Sequence, residues 1–98
     1  MDILEQLRAW YNSQQEVGDN EVVIEFSQLL SGRPKRSASA TAVGPSRLAR
    51  LTVWETGEAE LDLADAESGA MDQQHRQITS SVGLSDAVET MMAWVRHV

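Results

Sequence analysis

The sequence contains no cysteine, only two prolines, and one residue each of phenylalanine and tyrosine. The lack of cysteine excludes disulfide bonds, thiolate chemistry and zinc sites built on cysteine, and it is typical of proteins kept in a reducing compartment. No apolar run approaches the roughly 18 residues that a membrane span needs. Residues 1–5 also lack the basic lead and apolar centre of a signal peptide. These features predict a cytoplasmic protein that does not enter membranes.

Basic residues are scarce as well. Eight lysines and arginines stand against fifteen acids, which gives a formal charge of -7. Such a charge repels phosphate backbones and favours basic partners, so nucleic-acid binding is not expected. The two signs are also segregated along the chain. The only bases of residues 33–50, which contain no acid, are Arg33, Lys35, Arg36, Arg47 and Arg50.

The opposite charge dominates the next stretch. Residues 51–75 contain seven acids and neither lysine nor arginine. One interpretation is a solvated face that keeps the protein in solution; the other is a docking surface for a basic protein. The composition alone does not assign a role to the preceding basic stretch.

The chain lacks the residue patterns of a catalytic or metal site. His75 and His97 are not at the spacing of metal ligands, no serine lies in a nucleophile elbow, and no glycine-rich phosphate loop is present. Carboxylates recur along one predicted strand, but acid catalysis also needs a cleft that shifts their pKa values. We therefore predict no enzymatic activity, no cofactor and no metal ion.

Hydrophobic periodicity predicts a helix near each end of the chain. Apolar residues recur at three- and four-residue spacing over residues 2–15 and again after Gly83, where Ser85 is expected to cap the second helix. Between them, alternation predicts strands at 21–30, 37–43, 47–55 and 58–64, with an edge strand at 71–79. The prediction is a single α+β domain over residues 1–98. Its N- and C-terminal helices would pack on a four- to five-stranded, mostly antiparallel sheet as a two-layer sandwich.

The junction between the third and fourth strands carries a specific local signal. Thr56-Gly57 separates two β-prone stretches, and a glycine at this place supplies the positive φ of a tight antiparallel turn. The fourth strand alternates inward apolar residues with outward acids, which are Glu58, Glu60 and Asp62. Trp54 ends the third strand beside this turn. Its side chain either packs in the core, as is usual for tryptophan, or is exposed beside the acids, where aromatic side chains commonly anchor protein interfaces.

The hairpin segment RLTVWETGEAELDL, residues 50–63, resembles the corresponding segment of the TriTu family of immunity proteins, with VWETG as its distinctive centre. Three further features extend the resemblance in order along most of the chain. They are the turn DAESG at residues 65–69, the aromatic pair Trp10-Tyr11 in the first helix, and the last helix that Ser85 is expected to lead.

The resemblance implies an antitoxin of a bacterial polymorphic toxin or contact-dependent growth inhibition system. Such a protein is a cytoplasmic monomer that binds one cognate, basic toxin domain and binds neither nucleic acid nor membrane. Many of these toxins are nucleases, and an acidic hairpin can occupy their phosphate-binding site as a mimic. The residues predicted to bind the toxin are Trp54, Glu55, Glu58, Glu60, Asp62, Asp65 and Glu67.

Two other functions are compatible with the residues. A type III secretion chaperone is also a small, acidic α+β protein, but it works as a dimer, so a stable dimer without a partner would favour it. A small enzyme or a nucleic-acid regulator would use the bases of residues 33–50. Five bases weigh little against the overall charge, and a failure to bind DNA or RNA at any salt concentration would exclude the regulator.

Overall fold

A computed structural model of the protein describes residues 2–17, 22–29 and 36–96. Within these residues two helices, α1 (Ile3–Val17) and α2 (Ser81–Arg96), flank five strands. The strands are β1 (Val23–Leu29), β2 (Ser37–Val43), β3 (Arg47–Trp54), β4 (Glu58–Asp65) and β5 (Met71–Gln77). They pair in chain order, each antiparallel to the next. The predicted α+β fold is confirmed, and neither described helix is long and apolar enough to span a bilayer.

Both helices pack on one face of the sheet because every strand from β1 to β4 turns small or aliphatic side chains toward them. The buried strand residues are Ile24, Ala38, Ala40, Ala42, Ala49, Leu51, Val53, Ala59, Leu61 and Leu63. Helix α1 lies against β1 and β2, where Tyr11 stacks on Phe26 with ring centroids 5.4 Å apart. Helix α2 lies mainly against β3. The alanines of β2 allow this close approach because they add little height to the sheet.

The first turn of α2 corrects one prediction. The Ser80 hydroxyl accepts a hydrogen bond from the Gly83 N–H at 3.3 Å, and the Ser80 carbonyl accepts one from the Leu84 N–H at 3.2 Å. Ser80 therefore caps the helix, and the prediction of Ser85 as the cap is wrong. Gly83 therefore lies inside the helix, although glycine destabilises a helix by about 1 kcal/mol relative to alanine. The capped turn and the buried Leu84 side chain offset this cost.

Helix α2 ends close to the turn between β2 and β3. Gly44 donates a backbone hydrogen bond to the Arg47 carbonyl at 2.8 Å, and a Cβ atom added at Gly44 would collide with the Val95 carbonyl oxygen. Because a backbone atom cannot move aside as a flexible side chain can, the glycine sets how closely the helix approaches the sheet.

Replacing Gly44 by alanine is expected to lower the free energy of unfolding by about 1–3 kcal/mol, since the helix must move away from the sheet. The matched control is Gly83→Ala, where the added carbon meets Ile78 Cγ2 at an ordinary 3.5 Å. That change should raise stability by about 0.5 kcal/mol, because alanine favours the helix. Urea denaturation of the two variants measures both effects, and equal stabilities would contradict the assigned packing.

Candidate protein-binding face

We call the sheet face opposite the helices the open face. Strand register arranges its side chains in cross-strand rows, because residues two apart on a strand share a face. One row contains Val23, Val43, Leu48, Ala64 and Met71; the next contains Glu25, Thr41, Arg50, Asp62 and Gln73; the third contains Ser27, Ser39, Thr52, Glu60 and His75. A fourth row contains Ser37, Trp54, Glu58 and Gln77. All predicted outward acids of β4 lie on this face.

The turn between β3 and β4 holds the register of these rows. Gly57 has a φ of 93° and donates a hydrogen bond to the Trp54 carbonyl at 2.9 Å, which confirms the predicted glycine turn. The segment after β5 fastens the turn from the other side. The Ile78 N–H donates to the Gly57 carbonyl at 2.8 Å, and the Gln77 side-chain amide donates to the Thr56 carbonyl at 3.2 Å.

Neighbouring side chains hold the three outward acids of β4 in place. Glu58 accepts a hydrogen bond from the Thr56 hydroxyl at 3.4 Å, and Asp62 accepts one from the Gln73 amide at 2.9 Å. A Glu60 oxygen lies 3.6 Å from His75 Nδ1. The carboxylates follow one another about 7 Å apart along the strand. Counting the described residues of the open face, these three acids and Glu25 face a single guanidinium, that of Arg50, so the face carries negative charge.

The three tryptophans have different surroundings. Trp10 and Trp94 pack against the hydrophobic core, and the Trp94 indole N–H donates to the Ala64 carbonyl at 3.1 Å. Trp54 is half-buried on the open face, where it lines a shallow depression with Glu58, Glu60, His75 and Gln77. An indole beside carboxylates offers apolar area to a partner that also satisfies the charges.

Glu55 lies at the hairpin turn and already has a basic partner. Its carboxylate accepts a hydrogen bond from Arg36 Nε at 2.7 Å, and its backbone N–H donates to the Arg36 carbonyl at 3.0 Å. The side-chain hydrogen bond lowers the pKa of Glu55 and raises the pKa of Arg36. The contact ties the hairpin turn to the start of β2.

Asp65 lies at the opposite end of β4 and faces the helix side of the sheet. Its carboxylate accepts hydrogen bonds from the backbone N–H groups of Glu67 and Ser68 at 2.9 and 3.3 Å, and these bonds lower the pKa of Asp65. Arg47 Nε lies 3.5 Å from the same carboxylate, and the Arg47 guanidinium stacks 3.9 Å above the Trp94 ring. Asp65 thus organises its own turn, while the Glu67 side chain is exposed there.

The basic stretch of the sequence therefore has a structural role in its described part. Arg36 pairs with Glu55, Arg47 pairs with Asp65, and Arg50 is the register partner of Asp62. Arg33 and Lys35 lie outside the described residues. The seven predicted binding residues are consequently not one patch. The open face brings together Trp54, Glu58, Glu60 and Asp62. Glu55 and Glu67 lie in the turns before and after β4, and Asp65 ends that strand on the helix side.

Within the described residues, no group of three or more histidine, aspartate or glutamate side chains is placed to hold a metal ion. A comparison with protein-family models matches residues 5–94 to the family described as immunity protein TriTu. The match runs from the first turn of α1 to the last turns of α2 and so includes the whole sheet. No curated protein and no solved structure matches the chain.

The lowered pKa of Asp65 has a consequence for acid stability. A group whose pKa is lower in the folded state stabilises the fold above its unfolded pKa of about 3.9, and this contribution is lost as the pH falls through the lower folded value. Asp65→Asn should therefore be less stable than the parent protein at pH 7, and the difference should shrink below pH 4. Thermal unfolding between pH 2 and 7 measures it. Glu67→Gln removes the same charge from the exposed side chain of the turn and should cost less stability at pH 7; an equal loss there would contradict the role of Asp65.

Proposed function

Because the chain belongs to the TriTu family of immunity proteins, we propose that it neutralises its cognate toxin by covering a basic surface of that toxin with its open face. Family membership implies that the chain is a non-catalytic inhibitor and that it binds a toxin protein. The observation that supports the finer proposal is the arrangement of Glu58, Glu60 and Asp62. These carboxylates project together from the face of β4 that neither helix covers.

The charge of this face favours a toxin that acts on nucleic acid. A nuclease must present lysine and arginine side chains to phosphates, and a row of carboxylates can occupy the same positions. Strand pairing on both sides of β4 fixes the backbone that carries the row, so little backbone freedom is lost on binding. We assign nuclease activity to the toxin on this basis.

The predicted binding residues then take different roles. Glu58, Glu60 and Asp62 contact lysine or arginine of the toxin, and Trp54 supplies the apolar anchor beside them. Glu55 reaches the toxin from the hairpin turn while it keeps its bond to Arg36. Asp65 and Glu67 form the far margin of the interface, where Asp65 chiefly holds the turn.

The family match leaves the chaperone interpretation without support. Arg36 and Arg47 pair with Glu55 and Asp65, and Arg50 donates to the Thr41 hydroxyl, so these bases do not favour a nucleic-acid surface. An acidic face also increases the rate at which the inhibitor associates with a basic toxin. Complementary charge accelerates the encounter of two proteins, and this acceleration falls as salt screens it.

Reversing two of the central charges tests the proposal. The double variant Glu58→Lys with Glu60→Lys is expected to bind the toxin domain encoded beside the gene about a hundredfold more weakly, mainly through slower association, because like charges then face each other. Surface plasmon resonance at several salt concentrations, with a catalytically inactive toxin domain, measures both rates. Asp72→Lys with Glu89→Lys makes the same charge change away from the open face and should bind normally. Equal affinities of the two double variants would exclude the acidic row from the interface.

Removing the aromatic side chain of Trp54 should change the dissociation rate instead of the association rate. Trp54→Ala is expected to lose at least about 2 kcal/mol of binding free energy, roughly thirtyfold in affinity, through faster dissociation of the toxin. Trp54 is outside the hydrophobic core, so the variant should fold, and its circular dichroism spectrum verifies this. A dissociation rate equal to that of the parent protein would place Trp54 outside the contact.

A further inference from the structure

The large apolar side chains that the described residues expose are not scattered. They are Val23, Val43, Leu48, Met71 and Val82, with exposed fractions of 60%, 44%, 41%, 78% and 69%. The first four lie in one cross-strand row of the open face, in which Ala64 fills the position between Leu48 and Met71. We call this row the apolar stripe.

The stripe runs across all five strands. Neighbouring strands lie about 4.8 Å apart, so it is about 20 Å long and one side chain wide. Isolated apolar side chains on a surface need no explanation, but a contiguous exposed patch marks an interaction site. On a sheet face the stripe offers a partner a continuous apolar contact with no polar backbone to satisfy, since the strands already pair with one another.

The stripe adjoins the acidic rows. Asp62 and Glu60 lie two and four residues from Ala64 on β4, which places their carboxylates about 7 and 14 Å from the stripe. A protein that covers both must carry an apolar ridge with lysine or arginine beside it at the same spacing. This combination of apolar and basic groups defines one kind of partner more narrowly than charge does.

We infer that the apolar stripe is a second contact of the open face with the toxin, and that an apolar ridge of the toxin lies on it while basic side chains beside the ridge meet Asp62 and Glu60. This inference rests on the proposed function, and it adds an apolar contact at the opposite end of the face from Trp54.

A second copy of the chain fits the stripe poorly. A stable dimer buries about 800 Å² on each partner, whereas a row about 20 Å by 7 Å offers far less. A dimer through this face would have to cover the acidic rows as well. Two chains that each carry a charge of -7 would then meet through their acidic sides.

The test replaces the centre of the stripe without changing charge. In Val43→Thr with Leu48→Thr, threonine keeps the preference for strand conformation, so the fold should persist. The toxin domain encoded beside the gene should dissociate roughly tenfold faster, because the apolar contact is lost, while association keeps its rate and salt dependence. The pair Val23→Thr with Met71→Thr, at the more exposed ends of the stripe, should show a smaller change in the same direction. The matched control is Val82→Thr on α2, which should dissociate as the parent protein does.

The outcomes separate the inference from the proposed function. If both stripe variants dissociate at the parent rate while Glu58→Lys with Glu60→Lys binds weakly, the stripe is not a contact and the acidic proposal stands. If the stripe variants dissociate faster while the charge variant binds normally, the stripe stands and the acidic proposal fails. A free protein that sediments as a dimer, and as a monomer after Val43→Thr with Leu48→Thr, would assign the stripe to a second copy and overturn the inference.

Discussion

The pairing register of β3 with β4 is the constraint on which the surface depends, because a slip of one residue would move every side chain of a strand to the other face. Three contacts fix it. Gly57 closes the turn at one end. At the other end, Arg47 joins Asp65, and the Trp94 indole reaches the Ala64 carbonyl from α2. Helix α2 thereby helps to fix the register of β4, although the acids of β4 lie on the opposite face of the sheet from the helix.

The same contacts divide the charges of the hairpin into two groups. Glu55 and Asp65, at its two ends, are held by arginines that precede them in the chain. The side-chain hydrogen bond from Arg36 chiefly lowers the pKa of Glu55, whereas backbone hydrogen bonds chiefly lower the pKa of Asp65 and Arg47 adds to them. The acids between them face solvent on the open face. Exposed ion pairs contribute little to stability on their own, so the arginines serve mainly to orient the ends of the hairpin. The negative charge of the hairpin that projects outward is that of β4.

The period-two patterns of β2, β3 and β4 were sufficient to predict those strands within one residue and the side on which Glu58, Glu60 and Asp62 lie, because alternation and a glycine turn are local signals. The start of α2 could not be predicted as readily. Glycine usually interrupts a helix, but here the packing of the first turn keeps Gly83 helical. The apolar stripe cannot be recognised in the sequence. Val23, Val43, Leu48 and Met71 are far apart there and become neighbours only through the four strand pairings. One long-range signal was present, however. Arg47 with Asp65 and Arg50 with Asp62 lie at mirrored distances from the turn, which is the mark of an antiparallel pair.

An exposed apolar row on a sheet favours association between copies of the protein, whereas the negative charge of each copy opposes it. Carboxylates two and four residues from the stripe on β4 would approach those of a second copy, whereas a basic partner would meet them favourably. In the proposed complex the acidic rows therefore have two effects: they repel a second copy of the chain, and they attract the basic toxin. Specificity arises from the combination, because a basic protein without a matching apolar ridge leaves the stripe uncovered, and an apolar protein without basic groups buries carboxylates unpaired.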